Sequence, residues 1–183
     1  GCELEQDAPD FRDADNIFKV FRAWRFAMKY GPLMEKHREQ MKETVCWNVE
    51  QGLTLTGMQL AEAARQRSLL LGRVHRFFQE YDFLVMPVSQ VPPFDVEQPY
   101  VEEVEGVSME TYIDWMQSCY FVTVTGLPAI SVPFGFTGDG LPVGIQVVGR
   151  HHDEWGVLQL AYAIEQATGT WQQAPGIATG QGS

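Results

Sequence analysis

Ser131, Asp139 and the neighbouring imidazoles of His151 and His152 carry the hydroxyl, carboxylate and base that nucleophilic acyl chemistry needs. Their setting argues against that use. No GxSxG turn frames Ser131, and a serine inside the apolar run AISVPF reads as a polar filler on a half-buried strand. The run His151-His152-Asp153-Glu154 offers metal-ligand types. Sequence neighbours cannot easily converge on one ion, however, and HExxH is absent, so a helix cap with two solvated imidazoles is the better reading. Gly135, Gly138 and Gly140 are followed by a strand pattern, which leaves no helix N-terminus to receive a phosphate; they read as a turn. The carboxylates Asp95, Glu97, Glu102, Glu103 and Glu105 crowd a solvated loop with no sign of a sugar cleft. No catalytic residue, metal ligand or cofactor site is therefore assigned within the chain.

Cys119 lies among Trp115, Met116 and Tyr120, an apolar setting that favours core packing or a pocket wall over a nucleophile. Cys2, Cys46 and Cys119 are odd in number, widely spaced and free of CxxC, which argues against a disulfide framework or structural zinc and for a reducing, cytoplasmic setting. Phe21, Trp24, Phe77 and Phe78 fall at helical spacing and read as core.

The elements that must hold these residues follow from periodicity. Ile17, Val20, Phe21, Trp24, Ala27 and Met28 mark a first helix that is expected to stop at Tyr30-Gly31-Pro32, with a second from Leu33 to about Asn48. Thr56-x-x-Gln59 has the form of a capping box and opens a long helix to about Glu80. YDFLVMPV, residues 81–88, reads as a short buried strand, and the acidic stretch to Gly106 as loop. Ser108 is expected to cap a helix carrying Met109, Tyr112, Ile113, Met116 and Cys119. Two strands follow in TGLPAISVPFGFTGDGLPVGIQVVGR, each opened by a proline, and Asp153 caps a last helix closed by Gly169. Helices first, then strands and helices, predict an α/β or mixed α+β fold. At 183 residues and 45% hydrophobic, the chain suits one core, so a single unit over 1–183 is expected: mainly helical over 1–80, strands and helices over 81–169, a loose tail over 170–183.

A net charge of -11 leaves no positive field for nucleic acid or anionic membrane, and no apolar run approaches the length of a membrane span. Residues 80–183 hold one basic residue against thirteen acidic ones. Solvated acidic loops, or docking onto something basic, both fit that asymmetry.

YDFLVMPVSQVPPF, the helix after it, the two Gly-Leu-Pro strands and HHDEWGVLQL together resemble the C-terminal portion of the amidase signature family. The resemblance is good from about Tyr81 to Gly169 and most specific from Gly126-Leu127-Pro128 to Gly149-Arg150. It implies helices around part of a mixed sheet. It also implies a serine hydrolase of carboxylic amides whose Ser-Ser-Lys centre lies in an upstream GGSSGGS-like run that this chain does not contain. The chain, which opens on Gly1, is expected to be the rear part of a longer amidase, supplying sheet scaffold and part of the substrate pocket. A free-standing, non-catalytic binding or scaffold module, or a subunit derived from the amidase C-terminal half, is the alternative.

In such enzymes the helix before the first Gly-Leu-Pro lines the acyl pocket. The resemblance therefore names Trp115, Met116, Cys119 and Thr123 as substrate-pocket candidates; ordinary helix-to-sheet packing fits them equally well. The amidating subunits of glutamyl-tRNA amidotransferases share this region, but counted from the shared Gly-x-Pro their glutamine-binding aspartate falls at Met116, with Asp114 two residues away, and methionine has no charge to hold an ammonium group. Thr123 stands where many relatives carry asparagine. These departures lean toward a stand-alone amidase with an apolar or aromatic small-molecule amide substrate. Self-association through an exposed sheet edge is a further expectation.

Overall fold

Three helices open the chain. In the computed structural model, which describes residues 1–173, α1 spans Ala14–His37, α2 spans Glu43–Leu53 and α3 spans Gly57–Glu80. α1 does not break at Tyr30-Gly31-Pro32 as expected: Pro32 lies inside it. A proline ring crowds the Cβ and N–H of the residue before it, and Gly31, buried and without a Cβ, removes half of that clash. α2 consequently starts only after a short 3-10 turn at Arg38–Gln40. The capping box at the head of α3 forms as expected. The Thr56 main-chain N–H donates to Gln59 Oε1 at 2.8 Å, and the Gln59 N–H returns a bond to Thr56 Oγ1 at 3.3 Å.

The chain divides into two compact units, Pro9–Val74 on one hand and Gly1–Ala8 with the chain from His75 on the other. The boundary falls inside α3, with none of the Pro, Gly or Ser enrichment that marks a linker. In the first unit α1 and α2 meet closely enough that a Cβ on Gly52 would stand 2.1 Å from the Ala23 carbonyl oxygen. Asn48, fully buried, accepts from Arg22 Nε at 3.1 Å and donates to the Thr44 carbonyl at 2.6 Å. Arg73 of α3 donates to the Asp10 and Arg12 carbonyls, pinning the segment that leads into α1.

The second unit is built on a three-stranded sheet. β1 (Leu84–Pro87), β4 (Ala129–Phe136) and β5 (Pro142–Val148) pair in the order β1-β5-β4, antiparallel throughout. Between them lie a small hairpin of β2 (Glu103–Val104) and β3 (Val107–Ser108), a 3-10 turn at Asp114–Met116, and α4 (Gln117–Thr125). The helix expected from Ser108 thus starts nine residues later. Glu105 and Gly106 both take positive φ, at 50° and 79°, the geometry of a two-residue hairpin loop, and this draws Ser108 into a ladder with Glu103. Thr111 then donates its N–H and hydroxyl to Asp114 Oδ2, at 2.6 and 2.9 Å, a local turn that competes with helix.

The repeated triplet has one conformational meaning. Gly126 closes α4 at φ 70°, Gly140 closes the turn at φ 81°, and each is followed two residues on by the proline that precedes or opens a strand. Pro133 is tolerated inside β4 because β4 is an edge strand, and the register shifts beside it, between Pro133 and Gly135. α5 (Glu154–Thr168) starts where Asp153 Oδ1 accepts the Gly156 N–H at 3.0 Å and ends at Gly169, φ 63°. The chain then makes a 3-10 turn, Thr170–Gln172, with Thr170 buried and its hydroxyl donated to the Phe134 carbonyl at 3.4 Å. The expected loose tail therefore does not begin at 170. Its remainder from 174 lies outside the described residues. The described residues are 53% helix and 13% strand, the mixed class expected.

Candidate functional site

Strand parity decides what the sheet offers. Ser131 pairs with Gln146, and Gln146 with Met86, so these three point from one face; Ile130, Val147 and Val85 point from the other. α4 lies over the first face, through a bond from the Gln146 side chain to the Ser118 carbonyl. α5 lies over the second, where a Cβ on Gly149 would meet Val157 Cγ2 at 2.4 Å.

Four side chains fasten the head of α4 to the sheet. Gln90 Oε1 accepts the Gln117 main-chain N–H at 2.5 Å, which satisfies one of the helix's unpaired first-turn donors. The Ser118 hydroxyl and the Cys119 thiol both donate to the Val88 carbonyl, at 2.9 and 2.8 Å. Gln146, 6% exposed, donates its amide nitrogen to the Pro87 carbonyl at 3.0 Å and to the Ser118 carbonyl at 2.9 Å.

Beside this clamp, between α4 and β4, lies a cleft of about 280 Å³. Val88, Val122, Leu127 and Ala129 supply its apolar wall, Ile130 borders it from the strand between Ala129 and Ser131, and Cys119, Thr123, Ser131 and Gln146 are its polar residues. Thr123 and Ser131 are exposed at its mouth, and the Thr123 hydroxyl donates to the Cys119 carbonyl one turn back, at 3.0 Å.

Of the four residues named from the sequence, Cys119 and Thr123 line this cleft together, while Trp115 and Met116 do not. Both belong to the 3-10 turn before α4, and Trp115 packs edge-on against Phe94 with ring centroids 5.3 Å apart. Ser131 and Gln146 were not among the four. The signal that marks them is a polar residue within an otherwise apolar strand, on the face that α4 covers.

The letters of a catalytic triad stay dispersed. Asp139 sits in the β4–β5 turn and His151 beyond the far end of β5, a seven-residue strand, so they stand roughly 20 Å or more apart. The rings of His151 and His152 lie against each other, centroids 3.8 Å apart and planes tilted by 43°. Among the described residues no group of three His, Cys, Asp or Glu gathers as a metal site, and no helix is long and apolar enough to cross a membrane. All three cysteines are free.

Comparison with known proteins agrees with this arrangement. A family model described as Amidase matches residues 15–158. Among curated proteins, a glutamyl-tRNA(Gln) amidotransferase subunit of Thermodesulfovibrio yellowstonii is 37% identical over 114 residues, covering 58% of this chain and 21% of that protein. The corresponding subunit of Alkaliphilus metalliredigens is 37% identical over 98 residues, covering 54% and 19%. The chain thus spans about a fifth of the length of these relatives. Among solved structures, a 6-aminohexanoate cyclic dimer hydrolase in complex with substrate superposes with a TM-score of 0.81 at 20% identity, over 96% of this chain and 39% of that one. A crystal structure of an amidase gives 0.80 at 22%, over 88% and 37%. At such identities the superpositions speak for the fold, and the family match, which covers most of the sequence, places this chain in the amidase signature family of hydrolases.

Proposed function

We propose that this chain is the C-terminal part of an amidase that hydrolyses C–N bonds in small carboxylic amides. A Ser-Ser-Lys centre supplied from upstream would perform the chemistry, with backbone N–H groups stabilising the oxyanion. The chain contributes sheet scaffold and one wall of the substrate pocket. The observation that carries this reading is the α4–β4 cleft, with Cys119 and Thr123 in its lining, within a fold shared with amidases. Its largely aliphatic wall suits an apolar or aromatic substrate. Trp115 and Met116 enter the proposal as residues bordering the pocket from the turn before α4. A cytoplasmic setting belongs to the same reading and rests on the three free cysteines. Self-association through the edge strands β1 or β4 belongs to it as well.

Two measurements test it. The purified chain should release no amine from benzamide or acetanilide; turnover abolished by Ser131→Ala would overturn the proposal. The polypeptide encoded in frame with a GGSSGGS-like run ahead of this sequence should hydrolyse such amides. An open reading frame that starts immediately before residue 2 would instead favour a non-catalytic module.

A further inference from the structure

Gln146 is a polar side chain buried in the middle of a sheet, and its amide orientation is set by its surroundings. Its nitrogen has two main-chain carbonyls as partners, Pro87 at 3.0 Å and Ser118 at 2.9 Å. A carbonyl can only accept, so the NH₂ end must face both of them, and both of its protons are then committed. The amide plane leaves Oε1 on the opposite side. Among the described residues no hydrogen bond is made to that oxygen, and since it is not one of the fully buried atoms left unmatched it keeps access to solvent, while Gln146 lines the cleft. The other polar groups of the lining face different needs. The Cys119 thiol is engaged by the Val88 carbonyl and the Thr123 hydroxyl by the Cys119 carbonyl.

Beside the rotatable hydroxyls of Thr123 and Ser131, which can either donate or accept, the cleft therefore presents one acceptor held in a fixed direction by two hydrogen bonds, next to the apolar Val88, Val122 and Leu127. An acceptor so placed rewards a ligand N–H and penalises an ether or ester oxygen in the same position, because two oxygens would face each other once the ligand has displaced the water between them. We propose that Gln146 is a specificity-determining residue of this cleft, selecting compact apolar ligands that carry an N–H donor, secondary amides foremost, over esters of the same shape. This rests on the reading of the cleft as part of a substrate pocket and adds the residue that discriminates within it.

N-methylbenzamide and methyl benzoate differ by an N–H in place of an oxygen and are otherwise nearly isosteric. Both are titrated into the ¹⁵N-labelled full chain and followed by NMR. The amide is expected to bind about tenfold more tightly, as befits one hydrogen bond to an acceptor that the bound ligand shields from water, with shifts at the Gln146 side-chain NH₂ and at Cys119 and Thr123. Gln146→Met is expected to bring the two dissociation constants together; a folded variant that keeps the preference overturns the assignment. If that variant does not fold, the wild-type pair decides alone. Equal or reversed affinities with shifts at the cleft overturn the role of Gln146 and leave the pocket intact. Absence of cleft shifts with either probe overturns both the role and the pocket.

Discussion

The clamp at Gln146 has a cost of removal that can be worked from its geometry. In Gln146→Met the side chain keeps its length and loses both donors, so the Pro87 and Ser118 carbonyls each lose a bond of normal length. A typical intramolecular hydrogen bond contributes about 1 kcal/mol net, and a buried acceptor left unmatched costs more. Two features moderate the sum. Pro87 is exposed, so its carbonyl can recruit water, and Ser118 lies in α4, whose ladder offers its carbonyl a second partner. The thioether returns part of the loss through apolar burial. The net expectation is a destabilisation of about 2 kcal/mol, read as a fall in Tm of roughly 4–8 °C for a chain of this size. Gln146→Glu should be worse, since a carboxylate would face two carbonyl oxygens. Thermal unfolding followed by circular dichroism, with hydrogen exchange at the α4 amides, measures both. A Met variant within 1 °C of wild type and unchanged α4 protection would refute the view that this amide fastens α4 to the sheet.

Gly52→Ala should destabilise the unit of α1 and α2 by about 2–3 kcal/mol, because the new methyl meets the Ala23 backbone. Gly57→Ala, with nothing within 4 Å, should be neutral or slightly stabilising on helix propensity; equal Tm values for the two variants would contradict this. Arg150 donates from Nε to the Phe78 carbonyl at 3.1 Å and pairs with Asp82 at 2.7 Å. Arg150→Met should lower Tm by a few degrees, most of it from the carbonyl bond and little from the exposed pair, so Asp82→Asn should be nearly silent. The Arg12 side chain, hydrogen-bonded to Asp10 at 2.7 Å, holds that carboxyl below the usual carboxylate range. The folded value is the lower one. Any stabilisation is therefore present above the ordinary carboxylate pKa and disappears as pH falls through the folded value. Carboxyl titration by NMR should show the Asp10 midpoint moving up in Arg12→Met.

Local chemistry was the most legible part of the sequence. The capping pair Thr56 and Gln59, the Asp153 cap, the Gly169 stop and the β4–β5 hairpin all depend on residues within a few positions of one another, and all form where the spacing puts them. Two local misreadings share a cause. At Pro32 and at Ser108 a single strong signal, a breaker in one case and a cap in the other, was outweighed by its neighbour. Gly31 relieves the proline, and Glu105-Gly106 claims Ser108 for a hairpin. The division within α3 left no mark because nothing in the composition changes there.

The candidate site was legible only where helical spacing could carry it. Cys119 and Thr123 are four apart in α4 and share its cleft-facing side. Trp115 extends the same spacing on paper. It fails to join them because Asp114–Met116 winds as a 3-10 turn, with three residues per turn instead of 3.6, which rotates the side chain off the stripe and toward Phe94. Gln146 was beyond reach for a different reason. Its partners are main-chain carbonyls 59 and 28 positions away, and a carbonyl is the same group under every side chain, so no pairing of letters announces the contact. What the letters do show is a glutamine in GIQVV where a buried strand has no use for an unmatched amide. In a sheet covered on both faces such a residue must find partners in the backbone or a ligand, and here the backbone takes the nitrogen and leaves the oxygen to the cleft.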